Sequence, residues 1–159
     1  MPRRKTAPRK GLPLFPGSKH PFADLLGLTR SRPRRSDSQT RMRILPMMFN
    51  PIDCVHGGVI FSLIDNDMAG ALLTQMAPHE RCTTVEAKIN YLRPATKGTL
   101  VCTSRLLQRE NNVALVEAEV HSGKTLIAKG LGTYLVFVPR PKVKAKSRVA
   151  RKKVVRRAK

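Results

Sequence analysis

Residues 58–77, GVIFSLIDNDMAGALLTQMA, constrain the fold more than any other stretch of the chain. Ile60, Leu63, Ile64, Met68, Ala71, Leu72 and Met76 recur at steps of three, one and four, the apolar stripe of a helix with 3.6 residues per turn. Phe61, Ala69 and Leu73 widen that stripe until little polar surface is left. Such a helix has to be wrapped by other structure. Two aspartates, Asp65 and Asp67, nevertheless stand in its middle, and a buried carboxylate is costly unless it is paired or used.

Four strand-like runs follow: 83–92, 98–108, 112–122 and 125–138, each rich in β-branched and aliphatic residues. RPATKG, RENN and SGK separate them, and each suits a hairpin loop, so a four-strand antiparallel meander is predicted. Upstream, 38–51 alternates Met42 and Ile44 with Arg41 and Arg43 and reads as a further strand, ending at Pro46 or Pro51. HPFADLLGL, residues 20–28, reads as a short helix packed on the domain, with SRPRRSD after it as a loop. The expectation is an α+β domain, a long central helix inside a curved antiparallel sheet.

The 159 residues allow one domain with a real core. Net charge is +21, unevenly spread. Residues 1–35 carry ten Lys/Arg and one acid, 36–138 carry ten and nine, and 139–159 carry eleven and none. Residues 1–19 are therefore read as a basic, Pro-rich disordered arm, 20–138 as the folded domain and 139–159 as a basic disordered tail. No apolar run reaches the ~18 residues of a membrane span. Cys54, Cys82 and Cys102 lack CxxC spacing, which fits reduced thiols and a cytoplasmic setting. Five prolines within the first 21 residues argue against the amphipathic helix of an organellar address.

Several patterns are decoys. HSGKT (121–125) has Ala118 where a phosphate-binding loop needs glycine, and a strand follows it rather than a helix. VHGGV resembles a lipase oxyanion loop, yet no GxSxG nucleophile elbow exists. His56, Asp65, Asp67 and His79 lack metal-ligand spacing, so no metal is expected. Gly57 and Gly58 are different in kind. They open the helix, where free N–H groups and the positive end of the macrodipole point outward, able to hold a phosphate or polarise a carbonyl. Asp65 lies eight residues further on, ~12 Å along the axis at ~1.5 Å per residue. No Lys or Arg stands between Arg43 and Arg81 to pair with it locally. A carboxylate so far from its own helix start serves a carbonyl held there only if a second copy of the chain faces the first. Periodicity alone does not choose between Asp65 and Asp67.

From Asn50 to Asp65 the pattern N-P-x-x-x-V-H-G-G-x-x-x-x-L-x-D resembles the signature of hotdog-fold acyl-CoA thioesterases of the phenylacetate-pathway and 4-hydroxybenzoyl-CoA type. TTVEAKINYLRPATKGTL and AKGLGTYLV resemble that family's strands, and the likeness covers about residues 20–138. The resemblance implies a hotdog fold paired into homodimers or tetramers, acting on an acyl-CoA or aroyl-CoA substrate. It implies that the Gly57 N–H polarises the thioester carbonyl and that Asp65 of the facing subunit is nucleophile or general base. Asn50 and His56 would then orient water, carbonyl or neighbouring backbone, and Thr84 would assist the carboxylate or water; Asp67 is left as structural. No resident cofactor is implied, coenzyme A being part of the substrate. Its phosphates would call for cations, and Arg93 and Lys97 are the candidates. A rival reading is a non-catalytic CoA-binding scaffold whose basic arms hold nucleic acid or another polyanion by charge alone.

Overall fold

The computed structural model describes residues 19–31 and 36–140. The basic segments 1–18 and 141–159, and most of the SRPRRSD loop, lie outside the described residues. One long helix, α2 (Gly57–Leu73), lies on a six-stranded antiparallel sheet. The strands are β1 (Thr29–Arg30), β2 (Asp37–Arg43), β3 (Arg81–Tyr91), β4 (Thr99–Glu110), β5 (Val113–Ser122) and β6 (Thr125–Phe137), and a five-residue helix, α1 (Pro21–Leu25), precedes them. This is the α+β hotdog arrangement expected from the sequence.

The order across the sheet is β1-β2-β4-β5-β6-β3, which corrects the expected meander. β4, β5 and β6 do form one, but β3 pairs with β6 and never with β4. RPATKG is therefore a crossover, not a hairpin. Ala95 within it is buried, and its carbonyl accepts the Val55 N–H at 2.8 Å. Loop length did not reveal this, because a connection as short as residues 92–98 can turn back or step across the sheet. The other two breaks are hairpins: Asn111 takes the left-handed conformation in one (φ 52°) and Gly123 in the other (φ 58°).

Three further boundaries differ from expectation. The predicted strand, expected to end at Pro46 or Pro51, already ends at Arg43, and Pro46–Met48 forms a single 3-10 turn, since proline has no N–H for a ladder. The first helix stops at Leu25, two residues before Gly27 (φ 63°) reverses the chain. α2 stops at Leu73, where the Thr74 hydroxyl donates back to Ala71 O at 2.7 Å and accepts the Ser36 N–H at 2.9 Å.

The core lies between α2 and the inner face of the sheet. Leu63, Ile64, Met68 and Leu72 of the helix are fully buried, as are Met42, Leu100, Val116, Val120 and Ile127 of the surroundings. Each such side chain contributes roughly 1.5–3 kcal/mol by leaving water. Two glycines of β6 let the helix come close. A Cβ on Gly130 would meet Ile64 Cγ2 at 2.7 Å, and one on Gly132 would meet Met68 Cε at 2.9 Å. The helix is not wrapped all round within one chain. Phe61 is 39% exposed, and on β3, the sheet's long outer edge, Val85 is 64% exposed.

Candidate active site

The segment before α2 is a tight turn built on Asn50. Its side-chain Oδ1 accepts the N–H groups of Ile52 (3.1 Å) and Cys54 (3.2 Å), and Asp53 turns the chain with φ 59°. Val55 N–H reaches Ala95 O and His56 N–H reaches Met48 O, both at 2.8 Å, so the entry to the helix is pinned from two sides. His56 is the N-cap, with extended backbone (φ −59°, ψ 135°). Its Nδ1 accepts the Gly58 N–H at 2.9 Å, which assigns the ring proton to Nε2. Val59 and Ile60 direct their N–H groups to His56 O. Gly57 is thus left as the helix-opening residue whose N–H has no acceptor among the described residues. Its carbonyl accepts the Tyr91 phenol at 3.0 Å, and the Tyr91 ring lies 3.3–3.5 Å from where a Gly57 Cβ would stand.

Two turns along α2, Asp65 is half-buried. Thr84 Oγ1 of β3 donates to its Oδ1 at 2.8 Å, and Tyr134 Oη of β6 lies 3.2 Å from the same oxygen and 3.3 Å from the Asp65 carbonyl. Thr84 and Tyr134 are cross-strand partners, and the register shifts between Thr84 and Glu86, a bulge of the kind that re-aims side chains. Burial, and then the negative charge of Asp65, push the Tyr134 hydroxyl far above its ordinary pKa, so it stays a neutral donor. Burial and the same carboxylate raise the Cys82 thiol. Asp65 Oδ2 has no partner among the described residues.

Asp67 is a different object. It is wholly buried, with Ser38 (2.7 Å) and Thr40 (2.6 Å) donating to Oδ1 and Ser104 (2.8 Å) to Oδ2. Burial raises its carboxyl above the usual range; the three hydroxyls and the nearby Arg30 charge pull the other way. Its acceptors are committed to the sheet, so it has no oxygen to offer a reactant. Sequence periodicity left the two aspartates equivalent; their hydrogen-bond partners separate them.

The structure brings Asp65 of α2 and Thr84 of β3 together, and sets His56 as the cap of the Gly57 end of the helix, two clusters along one helix. Asn50 is not brought to them directly, its side chain holding Ile52 and Cys54 in the turn that leads there. Tyr134 and Tyr91, one in each cluster, were missed. The available signal was that the chain has only two tyrosines and that a buried phenol needs a polar partner. Lys97 lines a surface hollow of about 340 Å³ with Arg43, Pro46, Phe49 and Thr99. Arg93 is not in its wall and donates instead to Leu126 O at 3.4 Å. A second hollow, of about 430 Å³ between Gln108 and Thr133 at the β4–β5 turn, lies elsewhere. Neither has Asp65 in its wall. Among the described residues no group of three His, Cys, Asp or Glu side chains is placed to hold a metal. No helix there is long and apolar enough to cross a membrane.

Comparison with known proteins agrees with this fold. A family model described as the thioesterase superfamily matches residues 53–129, which include both clusters except Tyr134. The medium/long-chain acyl-CoA thioesterase YigI of Escherichia coli K12 is 31% identical over 134 residues, spanning 73% of this chain and 85% of the relative. Conserved protein PA5202 from Pseudomonas aeruginosa superposes with a TM-score of 0.72 at 31% identity, over 75% of this chain and 95% of that one. The E. coli PaaI protein from the phenylacetic acid degradation operon shares the fold, with a TM-score of 0.69 at 22% identity over 74% and 85% of the two chains. With its helix-opening glycines and its sheet order, the chain belongs to the thioesterase superfamily and has that family's hotdog fold.

Proposed function

We propose that the chain hydrolyses acyl-CoA thioesters to free acid and coenzyme A, at sites shared between two copies of itself. The Gly57 N–H of one copy polarises the thioester carbonyl, whose oxygen gains charge as the tetrahedral intermediate forms. Asp65 of the facing copy acts as nucleophile or as the base that activates water. Asn50 and His56 hold the Gly57 peptide in place through the turn and the cap; Thr84 orients the carboxylate. Lys97, with Arg43 beside it, is suited to the phosphates of the nucleotide end, and Arg93 is less so because it points to the sheet. No resident cofactor takes part.

One observation carries this reading. Asp65 keeps Oδ2 free, yet lies ~12 Å along the helix from the free Gly57 N–H at ~1.5 Å per residue, too far for both to reach one carbonyl. The exposed edge of β3, with Val85 on it, and the exposed Phe61 of α2 support a second copy as what completes the site, because long open strand edges are usually covered. The substrate named for the enterobacterial relatives supports an acyl-CoA as the substrate class. The basic segments at the two ends support at most a charge-driven contact with a polyanion, separable from catalysis.

Co-expression tests the proposal. Chains carrying Asp65→Ala and chains carrying Gly57→Pro are each expected to be inactive alone. In a mixed dimer one site regains both groups, so thiol release from acyl-CoA returns in the hetero-dimer fraction. No recovery in a verified hetero-dimer would mean that the site is not shared.

A further inference from the structure

We propose that Tyr134 is a positioning residue for the reaction, holding the Asp65 carboxylate so that one oxygen is fixed and the other faces the reactant. This rests on the reading of Asp65 given above and adds a residue outside the helix signature, in the AKGLGTYLV strand, to which the resemblance gave no role.

The argument begins with capacity. An ionised carboxylate accepts only, with about four lone-pair sites on two oxygens. In Asp65 both hydroxyl contacts fall on Oδ1, from Thr84 at 2.8 Å and Tyr134 at 3.2 Å, and none of the described residues reaches Oδ2. Two donors from adjacent strands converging on one oxygen stop the carboxylate from rotating about its last bond, so Oδ2 keeps a single direction. Tyr134 can hold that position rigidly because the residue is 1% exposed. It also contacts the Asp65 backbone carbonyl at 3.3 Å, and so ties the helix and the side chain to the same point on β6. A phenol pushed far above its ordinary range remains protonated and cannot become a competing anion beside the carboxylate.

A packing role alone is satisfied by the ring, so phenylalanine separates the two. With the acyl-CoA that the wild-type chain turns over fastest, Tyr134→Phe is expected to lower kcat on the order of tenfold, about the rate equivalent of one hydrogen bond to a charged group. KM and the melting temperature stay close to wild type. Thr84→Val, which removes the other donor to Oδ1, behaves in the same way. Ser104→Ala is the control, since its hydroxyl serves Asp67: it lowers the melting temperature and leaves kcat unchanged. A Tyr134→Phe variant with wild-type kcat overturns the proposal, as does one whose loss lies in KM or stability. Asp65→Ala in the same series keeps the two ideas apart. Full activity there removes Asp65 from the chemistry, whereas loss of activity there beside an unimpaired Tyr134→Phe removes the tyrosine alone.

Discussion

Gly57 offers a test in which one N–H is removed and almost nothing else. The residue is the first of α2, the helical position where proline is best tolerated, because that N–H has no intrahelical acceptor. The preceding residue must be extended for proline to follow, and His56 already is, at φ −59° and ψ 135°. Gly57→Pro should therefore keep the helix and delete the donor. The new Cβ would stand 3.3 Å from Tyr91 Cζ and 3.4 Å from its hydroxyl, so the ring must yield by a few tenths of an ångström; Tyr91 is 52% exposed and has room to do so. Gly57→Ala carries the same Cβ but retains the N–H, which makes it the matched control. The neighbouring Gly58 N–H is already held by His56 Nδ1 and cannot substitute. A single donor to a developing oxyanion is worth about 10²–10³ in kcat, or ~2.7–4 kcal/mol. Gly57→Pro is thus expected to fall by that factor relative to Gly57→Ala, read as thiol release at saturating acyl-CoA, with circular dichroism verifying that both fold. Equal kcat in the two variants would refute the role of this N–H.

Other outcomes follow from the same structure. Asp67 has a folded-state pKa raised by burial, so between the unfolded value of ~3.9 and that raised value the native state binds the extra proton. Its contribution to stability is present below pH ~4 and is lost as pH rises through the folded pKa; the stability of Asp67→Asn relative to wild type should therefore climb with pH across that window in urea titrations, and a flat difference would contradict it. Gly130→Ala forces a Cβ to within 2.7 Å of Ile64 Cγ2 in the core, and should cost about 1–3 kcal/mol by denaturant unfolding. Removing residues 139–159, which hold eleven Lys/Arg and no acid, should leave kcat/KM unchanged while lowering the salt concentration needed to release the chain from a polyanion column. A fall in kcat/KM would tie that segment to the site.

The long helix, the strand runs and the α+β class were legible because periodicity is a local property of the chain. The pairing of β3 with β6 was not, since RPATKG carries the same turn residues whether it returns to its neighbour or crosses the sheet. The two clusters were legible only in part. Gly57 and Asp65 announced themselves, one as a helix-opening glycine and one as a carboxylate in an apolar stripe. What separates Asp65 from Asp67 is that Ser38, Thr40 and Ser104 converge on the second, and those residues come from two strands distant in the chain. Tyr134 meets Thr84 through a register with a bulge beside it, and no spacing in the sequence encodes that. Likewise, the cap from His56 Nδ1 to Gly58, which leaves the Gly57 N–H free, is a matter of one side-chain rotamer.

The most direct measurement is thiol release from short, medium, long and aromatic acyl-CoAs by the wild-type chain beside Asp65→Ala, with the assembly state of both checked by light scattering. Turnover by the wild type that collapses in the variant, with assembly unchanged, is the predicted result. Equal rates in the two would contradict the account, because Asp65 would then have no part in the chemistry.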